Sequence, residues 1–566
     1  MKKSISLIVC FFLTQSLLSN PDNSTGYHIQ YEKGNSQYSD TLFSFIMISI
    51  APNLRTYYDL QSNGSSHMVQ LDPNTPSNIH AAFMYSPNRD SLVSSRRTVY
   101  CFSSDYGFTW SAYNSITGNT SAGFPVMLIM SDGSALIGNH TKLGGTIERA
   151  QWFADVGPGA AAFIQLDPGI YGSAAALWPV GIQTKMLNNQ TKFVFVAGNM
   201  LNRSLSLSSS NFSGYIPEPQ ISNSFRCAMA KSENGKIGLA YIMEGSLTAG
   251  KVSFKESTDD GITWSAPVLI WDPLSNNNYG AYNGIDVGYS GETPNVVFET
   301  VKYVTNIPDI LQTAKIQFWS PALNSGIPIV IDSSNNMIGT NPQSDGYAAV
   351  CRPVIGYINS NPKTSIVVYE KARLDTGSNG NNYFDVWYRY STNSGNTWGV
   401  YNRITNIYGD LSDYRYASIS DFNDYIQGYF YVNLLFQRDT IAGSNVNGLD
   451  NSSAKMYFCR IQHNQLSFPG VININSNIPN SFLLKQNFPN PFNPKTNIDF
   501  DIPKESVVKL TVYNSQGKVI AVLVDQNLTA GSYRVDWNAE IFSSGIYFYT
   551  ISAGKYYEAK KMVLIR

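Results

Sequence analysis

Ser103-Ser104-Asp105-Tyr106-Gly107-Phe108-Thr109-Trp110 is one of three eight-residue stretches written on a single pattern. Ser257-Thr258-Asp259-Asp260-Gly261-Ile262-Thr263-Trp264 repeats it, and Ser391-Thr392-Asn393-Ser394-Gly395-Asn396-Thr397-Trp398 repeats it with Asn393 in place of Asp. The shared S-x-D-x-G-x-T-W spacing reads as a hairpin turn. The Asp or Asn side chain accepts nearby backbone N–H groups, Gly takes a φ that other residues resist, and Trp covers the turn with apolar area. Ser103, Asp105, Gly107, Trp110, Ser257, Asp259, Gly261, Trp264, Ser391, Asn393, Gly395 and Trp398 are therefore expected to be structural.

Working outward from each turn, the same order of segments returns. An inner strand comes first, then a hydrophobic strand often ending in an acidic residue, then a third strand, the turn and a fourth strand. Arg226–Ala230, Ile237–Met243 ending at Glu244, Lys251–Glu256 and Pro267–Trp271 show it well. Asn295–Phe298 with Glu299 and Thr364–Tyr369 with Glu370 repeat the second strand. Weaker copies fill the intervals, and the count over residues 25–474 comes to seven units, with six left open. Each is expected to be a four-stranded blade of a β-propeller. Thr41–Ala51 has no blade of its own and is placed to close the ring. Charged residues make up only 14% of the 566 residues, against about 25% in an average globular protein, with Tyr, Ser, Asn and Gly in their place. That composition suits strands and turns.

The three turns resemble the Asp-box, or bacterial neuraminidase repeat, of sialidase-like propellers. The resemblance implies an all-β fold with the boxes on the rim, away from the central mouth. It also implies a question of number, because sialidase-type hydrolases have six blades.

The C-terminal end changes character at about Asn475. Gln486-Asn487-Phe488-Pro489-Asn490-Pro491-Phe492-Asn493-Pro494-Lys495-Thr496 is followed by short alternating strands with Gly/Asn turns, through Asn497–Pro503, Val508–Tyr513 and Gly531–Trp537 to Lys560–Arg566. The pattern predicts a small Ig-like β-sandwich over 475–566. It resembles the C-terminal sorting domain of type IX secretion cargo. That resemblance implies a Bacteroidetes-type bacterium, the type IX translocon as partner, and delivery to the outer cell surface or the medium.

At the other end, Lys2 and Lys3 precede an apolar run from Ile5 to Leu18. This reads as a secretory signal over residues 1–20, too short to favour a membrane span; no other stretch is apolar enough for a transmembrane anchor. Cys101, Cys227, Cys351 and Cys459 lie more than a hundred residues apart and form no CxxC, so they read as small buried core residues. With five His and no HxH or HExxH, no metal site or other cofactor is expected. Thirty-nine basic residues balance forty acidic ones, which gives no basic stripe for nucleic acid.

Sialidases grip a substrate carboxylate with three Arg, a task suited to bidentate guanidinium forks. This chain lacks their N-terminal Arg-Ile-Pro motif. It offers Arg226, Arg352 and Arg415 at or near the starts of three inner strands, with Tyr347, Tyr414 and Asp345 nearby, as a candidate substrate-binding set. Glu244, Glu299 and Glu370 recur from blade to blade, which speaks for a scaffold role; a catalytic residue should occur once. No catalytic residue is assigned. Three classes of function follow: a propeller that binds extracellular glycan or a surface protein, which the missing motif favours; a sialidase-type glycoside hydrolase or polysaccharide lyase; and a structural adhesin.

Overall fold

The computed structural model describes residues 28–31, 43–51, 54–57 and 67–565, apart from 172–175, 189, 209, 219–220, 222–225, 244–248, 338–346, 359–360, 397, 400, 406–409, 427–428, 444–451, 465–470, 476–477, 518, 529 and 540–541. The secretory-signal reading of 1–20, Glu244 and Asp345 lie outside the described residues.

Among the described residues seven sheets follow one another along the chain, antiparallel except where Phe422–Asn423 runs parallel beside the end of Val350–Ile358, and they are the blades of a β-propeller. Blade one runs from Val69–Leu71 through Ile79–Tyr85 and Arg97–Ser103 to Asn114–Ser115. The inner strands of blades two to six are Ala122–Ile129, Pro179–Gln183, Cys227–Lys231, Tyr279–Ser290 and Val350–Ile358. Blade seven takes Asp413–Ile419, Tyr429–Asp439 and Lys455–Asn464 from late in the chain and its next strand, Phe43–Ser49, from the beginning. The ring closes where inner strands of blades one and seven meet: the backbone N–H groups of Met68 and Leu71 donate to Ser418 Oγ (2.7 Å) and Ser420 Oγ (2.8 Å).

The box turns are built as their residue types require. Asp105 accepts the Thr109 N–H at 2.8 Å and Thr109 Oγ1 at 2.6 Å, while Ser103 Oγ donates to Asp105 Oδ1 at 2.8 Å. Asp259 makes the same bonds to Thr263 and Ser257 at the same lengths. In the third copy Ser391 Oγ donates to Asn393 Oδ1 at 2.9 Å and accepts the Gly395 N–H at 2.8 Å. The glycine does more than relieve φ. A Cβ on Gly107, at φ +85°, would lie 2.1 Å from the Phe458 ring of blade seven. The equivalent atom on Gly261 would meet Val194 of blade three at 2.6 Å, and that on Gly395 would meet Phe318 of blade five at 2.3 Å. Each box therefore presses its backbone onto the preceding blade, and only a residue without a side chain fits there.

Between blades the faces are apolar and interlocked. Trp152 of blade two lies 5.0 and 5.5 Å from the rings of Phe193 and Phe195 in blade three. Burying one such aromatic contributes about 2–3 kcal/mol. Cys101, Cys227, Cys351 and Cys459 are buried free thiols in this packing.

Two further four-stranded sheets form the C-terminal sandwich, one of Val471–Asn475, Gly531–Asn538, Lys495–Ile502 and Leu483–Leu484, the other of Val519–Leu528, Ser506–Asn514, Gly545–Ala553 and Tyr556–Leu564. Trp537, Tyr549, Leu510 and Ile551 are in its core. The Pro-rich entry is ordered by Asn487, whose N–H donates to Tyr549 Oη at 2.8 Å and whose Nδ2 donates to Thr496 Oγ1 at 2.9 Å.

Candidate functional site at the propeller axis

The starts of the inner strands carry a repeated irregularity. Phe124, Trp178, Arg352 and Tyr416 all take φ between +52° and +58°, a region that bulky residues rarely occupy. In blades two, six and seven the pairing slips at this point, between Gly123 and Val126, Cys351 and Val354, and Arg415 and Ser418. Such bulges turn a side chain out of the ladder and re-aim it. Aromatic rings gather as a result: Phe124, Tyr347 and Tyr416 belong to one buried cluster, with Trp178 and Tyr282 packed on it.

Two of the three candidate arginines come together at this end. The Arg352 and Arg415 guanidinium groups lie 5.9 and 5.1 Å from the centroid of the same Tyr347 ring. Both are buried and engaged. Arg352 Nε donates to Glu370 Oε1 at 3.2 Å, and Arg415 Nε donates to Asp413 Oδ2 at 2.7 Å. Arg226 is half-buried, donates to Asn283 Oδ1 at 3.1 Å and stacks over Tyr282. Tyr414 turns to Asp410, to which its hydroxyl donates at 2.7 Å.

The recurring glutamates link blades. Glu299 of blade five accepts the Asn283 N–H within its own blade at 3.0 Å and the Arg352 N–H of blade six at 2.5 Å. Glu370 of blade six accepts the Ala417 N–H of blade seven at 3.0 Å. Both carboxyls are fully buried; burial raises their pKa values, opposed by these N–H groups and by Arg352. The bulge exposes an amide at the strand start, and the glutamate of the preceding blade takes it up.

Deeper on the axis lies a group that the sequence does not announce. His67 precedes the blade-one inner strand, yet its Nε2 lies 3.1 Å from Asp286 Oδ2 of blade five. Blades one and five are not neighbours in a seven-membered ring, so this side chain crosses the central channel. Its Nδ1 lies 2.8 Å from the Ile419 carbonyl and 3.0 Å from Asp421 Oδ1. Both ring nitrogens face only acceptors, so both donate and the ring is an imidazolium. Burial opposes that charge, but Asp421 and Asp286 outweigh it and hold the pKa up at about 10. Asp286 also accepts the Ile355 N–H at 2.8 Å and the Val287 N–H at 2.9 Å.

Beyond His67, toward the ends of the inner strands, a cavity of about 90 Å³ opens on the axis and draws lining residues from all seven blades. Its polar lining comprises Gln70, Gln183, Lys231 and Asp421. Gln70 Nε2 donates to Asp421 Oδ2 at 2.8 Å, and Gln70 Oε1 accepts the Asp421 N–H at 3.0 Å. Among the described residues no group of three or more His, Cys, Asp or Glu is placed to hold a metal ion, and no helix is long and apolar enough to cross a membrane.

Comparison with known proteins decides one part of the chain. Residues 486–565 match the family described as the secretion system C-terminal sorting domain. This segment is a sorting domain. A sorting domain of this kind implies engagement by the type IX secretion system and delivery to the cell surface or extracellular space. No curated protein matches the sequence. Among solved structures, the chain is similar to a protein of unknown function from Dyadobacter fermentans at 14% identity, covering 74% of this chain and 99% of that one, with a TM-score of 0.36. It is similar to PorZ, a surface component of the type IX secretion system of Porphyromonas gingivalis, at 11% identity over 89% of this chain and 60% of that one, TM-score 0.35. A Trypanosoma rangeli sialidase aligns at 10% identity over 91% and 89%, TM-score 0.36.

Proposed function

We propose that this chain is a type IX secretion cargo whose propeller, over residues 25–474, is a non-hydrolytic module that binds glycan or protein outside the cell. Residues 1–20 act as its signal for the first membrane and residues 475–566 as its address for the second. The three box turns are Asp-boxes of the sialidase-like kind and serve the scaffold.

One observation carries the reading. Glu299 and Glu370, the carboxylates beside the candidate arginines, are fully buried and hold backbone amides of the next blade. A general acid or nucleophile must reach a substrate atom, and these two are spent on joining blades. Arg352 and Arg415 are likewise occupied by Glu370 and Asp413.

A sialidase-type hydrolase is the second reading. The shared Tyr347 face of Arg352 and Arg415 favours it, with Arg226 as the third member of the carboxylate grip. The test is a panel of fluorogenic glycosides, a sialoside among them, run beside a glycan array with the purified mature chain. Binding without turnover is the expected outcome. Turnover of the sialoside, lost on Arg226→Ala, overturns the binding-module reading in favour of the hydrolase.

A further inference from the structure

We propose that the axial cavity at the ends of the inner strands is a binding site for a neutral, hydroxyl-rich ligand the size of one sugar ring, held between the Lys231 ammonium and the Asp421 carboxylate. This site is at the opposite end of the inner strands from Arg226, Arg352 and Arg415, and it does not depend on what those residues bind.

Size comes first. About 90 Å³ of free space is the liquid volume of about three waters, so the cavity takes one edge of a single ring and leaves the rest at its open mouth. The lining is mixed in the way small-molecule sites are, mostly apolar with a few polar groups. Met229 and Phe422 supply apolar surface, and the Phe422 ring at the rim is 41% exposed. An exposed flat ring beside hydrogen-bonding groups matches the two faces of a sugar, C–H on one side and hydroxyls on the edge.

Hydrogen-bond capacity comes second. Lys231 lines the cavity, and among the described residues its ammonium makes no hydrogen bond or ion pair. It is half-buried, and burial lowers its pKa, with Lys185 adding to the effect. An ammonium has three donors, and those of Lys231 face the cavity, within the field of Asp421 and Asp260, where a ligand can take them up. Asp421 stands opposite in state: Oδ1 is held by His67 and Oδ2 by Gln70, which fixes the carboxylate while each oxygen keeps a second lone pair. The cavity thus offers a fixed acceptor and an unspent donor.

Charge decides between ligand classes. Asp286, His67, Asp421 and Lys231 carry two negative and two positive formal charges. A ligand anion drawn to Lys231 would face Asp421, and a cation drawn to Asp421 would face Lys231. A hydroxyl does both jobs, accepting from Lys231 and donating to Asp421, and vicinal hydroxyls do so at once. Gln183, whose Nε2 donates to Ser131 Oγ at 3.3 Å, leaves its carbonyl oxygen as a further acceptor at the wall.

The test is titration calorimetry on the mature full chain with D-galactose, D-glucose, D-mannose, L-fucose and D-glucuronate. At least one neutral sugar should bind, more tightly than glucuronate. Lys231→Met should weaken that binding about tenfold or more, the loss of a charge-assisted hydrogen bond, and Phe422→Ala should weaken it as well. Sugar binding that Arg226→Ala abolishes and Lys231→Met spares would place the ligand at the arginine end and overturn the proposal. Absence of neutral-sugar binding, preference for glucuronate, or unaltered binding in Lys231→Met overturns the proposal. If Lys231→Met fails to fold, Phe422→Ala on the rim decides alone.

Discussion

His67 of the first blade reaches Asp286 of the fifth, 3.1 Å away across the propeller axis. The two residues are 219 positions apart in sequence, and the second carboxylate on the ring, Asp421, comes from just beyond the inner strand of blade seven. Three blades thus meet in one charge cluster, with Asp286 buried and His67 and Asp421 half-buried. Removing the imidazolium leaves two carboxylates without their shared cation. His67→Gln is expected to cost about 3 kcal/mol or more in denaturant unfolding at pH 6. The folded-state pKa of about 10 stands above the ordinary 6.5, so the contribution is complete below pH 6.5 and is lost as pH rises toward 10. The stability gap between the native protein and His67→Gln should narrow across that window; a gap that widens would refute the cluster as described.

Gly107→Ala tests the packing of a box on the blade before it. The new methyl group would overlap Phe458 at 2.1 Å and would force an L-residue to φ +85°. Either the ring between blades one and seven parts or Phe458 moves, and a loss of about 2 kcal/mol or more is expected. Phe458→Ala combined with Gly107→Ala should recover the clash component, read as non-additivity in a double-mutant cycle.

Asp259→Ala removes the acceptor for Thr263 N–H and Oγ1 and should destabilise by about 1 kcal/mol. The Asp259 pKa is lowered: burial is the largest single effect and raises it, but the bonds from Thr263 and Ser257 together outweigh it. Its contribution is therefore present above the ordinary carboxylate pKa of 3.8 and fades as pH falls below it. The native protein and Asp259→Ala should converge in unfolding free energy on acidification.

Glu299→Gln replaces one of two acceptor oxygens with an NH₂ group that faces a backbone N–H. Both oxygens are in use, on Asn283 and on Arg352, so no flip of the amide satisfies both. A loss of about 1–3 kcal/mol is expected, with hydrogen exchange accelerated at the amides of Asn283 or Arg352 first.

Truncation after residue 480 removes the matched sorting domain at 486–565. Expressed in a bacterium with type IX secretion, the truncated chain should accumulate between the membranes, while the full chain reaches the surface or medium. Fractionation and immunoblotting read the difference.

What could be read from the sequence was local. The box turns are legible because Ser103, Asp105, Gly107 and Thr109 satisfy one another within eight residues. The sandwich strands are legible because Lys495–Ile502 alternates buried and half-exposed positions down its length. Propeller strands hide better. Arg149–Asp155 is buried at every position, because each blade is covered on both faces, and period-two alternation disappears. The axial residues were out of reach for another reason. The hydrogen bond from His67 to Ile419 spans 352 residues and that to Asp286 spans 219, and no spacing rule links a lone His to two distant Asp. Arg352 and Arg415 were visible as residue types at strand starts. Their burial and their bonds to Glu370 and Asp413 depend on bulges at Arg352 and Tyr416 that leave no sequence signature of their own.

Phe43–Ser49 sits in the seventh blade, with Phe43 opposite His463 and Ser49 opposite Tyr457. One edge of this strand pairs locally with His28–Tyr31, but its other edge has no partner until Lys455–Asn464 has been made. Closure of the circle therefore joins segments about 400 residues apart in the chain. A chain cut short in blade seven would keep an open edge, exposing unpaired backbone to proteases.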